Sequence, residues 1–280
     1  MDNYQLTQDQ ITAYGVCLRT EEHTPSTIEK YLRDTRAFAV WLEGRPVTRE
    51  LAAEWRDRLL SSGHKPSTVN SMLAAVNGLF RFLGWGIRVK FLKVQRRLFR
   101  DQSRELAREE YDLLVDTARD GGKERLALLM EAVCATGVRV SEVKYLTVEA
   151  AQCGRAEIAL KGKIRMILLP NKLCRKLLKY ARKQKIASGE IFLTRSGRSL
   201  SRRQIWAEMK QLCKATGVAS EKVYPHNLRH LFARTFYQAC KDIARLADVL
   251  GHSSIETTRI YLVTTGAEQV RQLDRLGLVS

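Results

Sequence analysis

A chain of 280 residues, 45% of them hydrophobic, is long enough for two packed domains and too apolar for global disorder. Its 48 Lys and Arg against 30 Asp and Glu leave a formal charge of +18, which favours a polyanionic partner, nucleic acid first and a membrane surface second. No apolar run is long enough to span a bilayer, and the polar start MDNYQLTQDQITAYG has no signal-peptide pattern.

Roughly the first hundred residues read as helices. A short one over Thr7 to Thr20 opens the bundle. Thr24 caps a second, with Pro25 at its first position, where a missing N–H costs nothing. Ile28, Tyr31, Leu32, Thr35, Phe38, Ala39 and Leu42 then keep the spacing of one buried face, and Gly44 and Pro46 end the run. Thr48 caps a third helix carrying Leu51, Trp55, Leu59 and Leu60. Pro66 opens a fourth, with Val69, Met72, Leu73, Val76, Leu79, Phe80 and Leu83 on its apolar face, and Gly84 stops it.

Beyond Gly86 the character changes. Arg88, Lys90, Lys93, Arg96, Arg97, Arg100 and Arg104 are opposed only by Asp101. In a neutral protein this would be a solvated face or a linker. Beside so large an excess of cations it weighs toward phosphate contact. A boundary is expected near Gln102 and Ser103, giving domains 1–102 and 103–280. The second opens with a helix through Leu113, Leu114 and Ala118. Another runs from about Lys123 to Ala135, breaks at Thr136-Gly137 and resumes over Val140 to Leu146. Glu157 to Leu160 and Ile164 to Leu169 form two strands about a Lys161-Gly162-Lys163 turn, and Pro170 ends the second. Helices dominate again from Lys172. Cys17, Cys134, Cys153, Cys174, Cys213 and Cys240 are widely spaced, with no CxxC pair. Reduced, partly buried thiols of a cytoplasmic protein are expected, rather than a zinc site or a disulfide framework.

Chemistry concentrates in YPHNLRHLFARTFYQACKDIARLADVLGHSSIETTRIY. His226 and Arg229 are three apart, on one face of a helix, and Arg139 and Glu142 share that spacing upstream in ATGVRVSE. Either pair alone is a common surface arrangement, but together they can aim at one point. Asp242 caps a helix with Ile243, Leu246, Ala247 and Leu250 on its apolar face, and Gly251 suits a left-handed stop. Ser253 and Glu256 have capping-box spacing for a last short helix. Tyr261 lies near that helix's end, and His252 in the connection before it. A lone tyrosine there would by default be a half-buried core residue, and a lone loop histidine a hydrogen-bonded one. Three of the chain's five histidines, however, fall between His226 and His252. Two imidazoles, guanidinium groups and a phenol are what attack on a phosphodiester requires without a metal.

The chain resembles the tyrosine recombinases, the phage integrase family. ATGVRVSEV looks like the family's first box, HNLRH its second, and LGHSSIETTRIY its histidine-to-tyrosine segment. The steps of 23 residues from Arg229 to His252 and nine from His252 to Tyr261 are also typical. The likeness covers nearly the whole chain, at the size of the compact two-domain members. It implies a mainly α fold with a small antiparallel sheet: an N-terminal helical bundle binding DNA and a C-terminal α+β catalytic domain, forming a clamp on the duplex. It assigns Arg139 and Arg229 to the scissile phosphate, Tyr261 to nucleophilic attack, His226 to base or hydrogen-bond duty, His252 to the phosphate and Glu142 to their support. The family's lysine, usually within Gly-Lys-Gly, falls on Lys161 by its following glycine. The preceding glycine is absent, which keeps Lys163 as the second candidate. His230 is read as structural.

The expected activity is site-specific recombination through a 3′-phosphotyrosyl link, serving integration, excision, resolution or inversion, as in a mobile element. No metal, ATP or other cofactor is expected. The expected partners are double-stranded DNA with inverted-repeat sites, further copies up to a tetramer and a directionality factor, with no membrane. The location would be the cytoplasm, on the nucleoid. A type IB topoisomerase-like enzyme has nearly the same chemistry, and a non-catalytic DNA-binding regulator could keep the fold. A membrane-surface protein is a distant third.

Overall fold

The computed structural model describes residues 4–94, 102–160, 163–261 and 266–277. The chain divides into two compact units, Met1–Arg96 and Arg97–Ser280, a few residues before the boundary expected from sequence.

The first unit holds α1 (Gln8–Thr20), α2 (Pro25–Leu42), α3 (Arg49–Ser61) and α4 (Pro66–Phe82). Thr7 and Gln10 close a reciprocal cap on α1, and Thr48 accepts the Leu51 N–H at the start of α3. Thr24 precedes α2 but makes no side-chain cap, so Pro25 alone marks that start. Phe38 sits at the centre, edge-on to Trp55 at 5.0 Å and to Phe80 at 5.7 Å. Burying one such ring contributes about 1.5–3 kcal/mol. Asp34 is buried on α2 and held by Lys30 and Arg33, each at 2.9 Å, a polar core position that the apolar spacing did not reveal.

The chain beyond α4 is pinned along that helix by two asparagines. Asn77 exchanges two hydrogen bonds with the backbone of Val89, both 2.9 Å, and Asn70 does the same with Leu92 at 2.9 and 2.8 Å. Each amide imitates one rung of a sheet. Ile87 and Val89 are thereby buried, while Arg88, Lys90 and Lys93 stay exposed. Arg96, Arg97 and Arg100 lie outside the described residues.

The second unit contains α5 (Arg108–Asp120), α6 (Glu124–Thr136), α7 (Val148–Cys153), β1 (Arg155–Leu160), β2 (Lys163–Leu168), α8 (Asn171–Lys183), α9 (Arg202–Thr216), α10 (Pro225–Cys240), α11 (Ile243–Leu250), α12 (Ile255–Arg259) and α13 (Gly266–Asp274). Helix α6 is buried over most of its surface, Leu126 through Met130, Ala132 and Val133 included, because α5, α8, α9 and α10 pack against it, while Arg125 and Glu131 are left at the edges in ion pairs. The segment expected to resume as helix is a tighter 3-10 turn, Val140–Tyr145. Strands β1 and β2 pair antiparallel, Ile158 opposite Arg165. Ala156, Ile158 and Ile167 face the core, whereas Ile164, Met166 and Leu168 are exposed.

Ser254, not Ser253, caps α12, its hydroxyl accepting the Glu256 N–H at 3.2 Å. All six cysteines are free, but Cys153 and Cys240 are exposed rather than partly buried, because each sits at a helix C-terminus beside solvent. The tail TTGAEQVRQLDRLGLVS has Val270, Leu273 and Leu276 at helical spacing, most simply read as an intramolecular core helix, but α13 does not bury them. Val270, Leu273 and Leu276 remain 56%, 58% and 60% exposed.

Candidate active site

The ends of three helices and one face of a fourth meet in the second unit. Helix α10 supplies His226 and Arg229 one turn apart. Asn227 ties the start of α10 down by donating to the carbonyls of Arg104 and Lys222, both at 2.7 Å.

Arg229 is only 1% exposed. A buried guanidinium must have its donors satisfied. Its Nη1 donates to the Gly137 carbonyl where α6 ends, and its Nη2 to the Leu250 carbonyl at 2.8 Å where α11 ends. These are helix C-termini, where free carbonyls gather partial negative charge. Both turns need glycine. Gly137 has φ +66° and Gly251 φ +63°, and a Cβ at Gly137 would strike the Phe232 ring.

Arg229 Nη2 also lies 2.9 Å from His252 Nε2. Guanidinium can only donate, so Nε2 accepts and the ring proton sits on Nδ1. Nδ1 in turn donates to Thr258 Oγ1 at 2.9 Å. Thr258 is fully buried on α12, and nothing in the sequence pattern marked it.

Arg139 leads into the 3-10 turn. Its backbone N–H donates to Glu142 Oε2 at 2.7 Å, and its Nη1 to Oε1 at 2.9 Å. Glu142 is 1% exposed, and a second guanidinium, Arg165 on β2, reaches its Oε2 at 2.5 Å. These partners hold the Glu142 carboxyl below the usual range against the opposing effect of burial. Arg165 was not picked out from sequence.

Tyr261 lies two residues past α12, its N–H bonded to the Thr258 carbonyl at 3.0 Å. It is 5% exposed. Its ring packs edge-on against His230 at 4.6 Å and nearly parallel to His252 at 5.9 Å, and its hydroxyl bears on Arg229. His230 also contacts His226 edge-on at 4.5 Å.

The site is cationic before any substrate arrives, and the imidazoles register it. Burial first, then the charges of Arg229, Arg139 and Arg165, push His252 down to about 4. Burial, His226, Arg234 and Arg229 push His230 down to about 3. His226 is lowered by burial and then by Arg229, Arg139 and Arg202. All three rings are therefore neutral at pH 7. Three guanidinium groups, Arg139, Arg165 and Arg229, against the one carboxylate of Glu142 leave a positive surplus that suits a phosphodiester.

Of the residues picked out from sequence, Arg139, Glu142, His226, Arg229, His252 and Tyr261 come together. Lys161 lies outside the described residues, and Lys163 opens β2. Among the described residues no group of three or more His, Cys, Asp and Glu could hold a metal ion, and no helix is long and apolar enough to cross a membrane.

Two family patterns match the chain: the Phage integrase family over residues 104–267, and the Phage integrase, N-terminal SAM-like domain over residues 11–86. The chain belongs to the phage integrase family and is a tyrosine site-specific recombinase. It is 30% identical to the tyrosine recombinase XerC of Roseiflexus castenholzii over 90% of this chain and 88% of that one. It is 26% identical to the tyrosine recombinase XerA of Pyrococcus furiosus over 98% and 96%. Its fold is similar to that of a lambda integrase tetramer bound to a Holliday junction, with TM-score 0.74 and 18% identity over 93% of this chain and 78% of that one. It is likewise similar to the Tn1549 transposon integrase in complex with transposon right end DNA, with TM-score 0.71 and 16% identity over 96% and 99%.

Proposed function

We propose that Tyr261 is the nucleophile and that the surrounding cations bind the phosphodiester it attacks. The observation carrying this reading is the meeting of one phenol, the buried Arg229 and His252 at the end of α11. The Tyr261 oxygen bonds to phosphorus, and the bond from phosphorus to the 5′ oxygen breaks. A 3′-phosphotyrosyl link and a 5′-hydroxyl result. His226, neutral and thus able to accept, takes the phenol proton or holds its hydrogen bond. Arg139 and Arg229 offset charge on the nonbridging oxygens, and His252 joins them on the phosphate. Lys161 protonates the leaving oxygen. A partner strand's 5′-hydroxyl then reverses the sequence. The bond energy stays in the covalent link, so no ATP is consumed.

In this reading residues 1–102 bind DNA and residues 103–280 hold the chemistry. The strap bearing Arg88, Lys90 and Lys93, with Arg96, Arg97 and Arg100 following it, contacts phosphates. Inverted-repeat sites assemble four copies, as in the lambda integrase tetramer, and the exposed apolar side of α13 docks on a neighbouring copy. A directionality factor chooses the outcome, on a mobile element or chromosome in the cytoplasm.

The test is a nicked suicide duplex whose sequence is the tightest binder selected from a randomised library. Wild-type protein should give a denaturant-resistant covalent adduct. Tyr261→Phe should bind equally and give none. An adduct from the Phe variant would move the nucleophile elsewhere.

A further inference from the structure

Arg165 stands on the inward face of β2, opposite the buried Ile158 and in line with the buried Ile167. A cation at a core-facing strand position needs a reason to be there. Its Nη2 donates to Glu142 Oε2 at 2.5 Å, and its Nη1 to the Val249 carbonyl at 3.1 Å. Val249 and Leu250 carry adjacent carbonyls in the last turn of α11, where the helix has no further N–H to offer them. One is taken by Arg165 and the next by Arg229. Directly after them comes Gly251, and a Cβ there would lie 2.6 Å from Arg165 Nη1. The missing side chain is the slot through which Arg165 reaches the helix end. Its Nε is buried without a hydrogen-bond partner, so the side chain gives up one donor to reach these two acceptors.

We propose that Arg165 is a positioning residue for DNA cleavage. It ties the carboxylate that orients Arg139 to the end of α11, which holds Arg229 through the Leu250 carbonyl and leads into His252, and so fixes the distance between the groups on either side of the phosphate. This rests on the assignment of Tyr261 and its cations to the scissile phosphate.

The test uses Arg165→Met, which keeps the length and apolar stem, and Arg165→Lys, which keeps the charge but replaces the planar fork, whose two nitrogens serve the two acceptors, by a single shorter-reaching ammonium. Full-length proteins are compared by thermal melting, by affinity for the selected duplex and by single-turnover adduct formation on its nicked form. Misplacing a catalytic group by about 1 Å can cost about 100-fold in rate, so the adduct rate should fall roughly 10- to 100-fold in both variants. Affinity should change less than about threefold, since substrate binding spreads over many phosphates. Glu142→Gln should be non-additive with Arg165→Met, because both cut one linkage. If Arg165→Met does not fold, Arg165→Lys decides, since it leaves Glu142 a charge partner. A wild-type rate in a folded Met variant, full rescue by Lys, or additivity with Glu142→Gln would each overturn the inference. An adduct that survives Tyr261→Phe would instead overturn the reading beneath it.

Discussion

Replacing Thr258 by valine isolates the hydrogen bond that sets the His252 tautomer. The hydroxyl is fully buried and accepts from Nδ1 at 2.9 Å, while Nε2 faces Arg229. In this state Nε2 has no proton to give. To donate to an arriving phosphate through Nε2, the ring must move its proton, and Nδ1 then becomes an acceptor. A threonine hydroxyl serves both states, because it can accept from Nδ1–H or turn and donate to bare Nδ1. Valine serves neither. It keeps the β-branch and nearly the volume, so the packing of α12 changes little. Leaving a buried ring nitrogen without its partner costs about 1–3 kcal/mol. If that cost falls on the transition state, adduct formation slows by roughly 5- to 150-fold.

Nitrogen NMR of the histidine ring reads the tautomer directly, and single-turnover cleavage of the nicked duplex reads the rate. Thr258→Ser keeps the hydroxyl and should retain most of both. The reasoning fails if the valine variant cleaves at the wild-type rate with its ring proton still on Nδ1. It fails equally if serine and valine are impaired alike, since the effect would then belong to packing.

Other consequences can be checked separately. Changing Arg88, Lys90 and Lys93 to glutamine should lower the slope of log affinity against log salt by about 0.9 for each phosphate no longer neutralised, on related and unrelated duplexes alike. Asn70→Ala with Asn77→Ala should weaken the same binding without removing a charge, because four hydrogen bonds between the strap and α4 disappear; unchanged affinity would mean the strap holds itself. For acid, the sign follows from two depressed histidines, His230 at about 3 and His252 at about 4. The unfolded chain takes up protons near pH 6.5 and the folded chain does not, so stability is full above that pH and lost as pH falls toward 4. Melting temperature measured across this range should drop, and His230→Gln should flatten the drop. Removing residues 267–280 should spare binding to one site but abolish pairing of two, assayed by gel shift, because it strips Val270, Leu273 and Leu276; full recombination by the truncated protein would exclude that role.

The helices and the gathered residues were largely legible because both follow local rules. Apolar spacing along α2 and α4 marks buried faces, and Asp242 and Gly251 bracket α11 through cap and left-handed stop. What the sequence hid depends on tertiary partners. Strand β2 shows why. Its residues alternate so that either Ile164, Met166 and Leu168 or Arg165 and Ile167 could face inward, and a shift of one residue exchanges the sets. Hydrophobicity alone favours the first set, since it is wholly apolar. The structure takes the second. The cost of turning an arginine inward is offset by Glu142, a carboxylate that would otherwise be buried beside Arg139 alone, and by the Val249 carbonyl, which helix α11 leaves without a donor. Neither partner is within twenty residues of Arg165, so no window of sequence could have paired them. Thr258 escaped notice for a related reason. Its hydroxyl matters only because Arg229, one turn past His226 on another helix, forces the His252 proton toward it. The chemistry-bearing residue types stand out by their spacing, while the residues that set their protons and distances are ordinary ones placed by the fold.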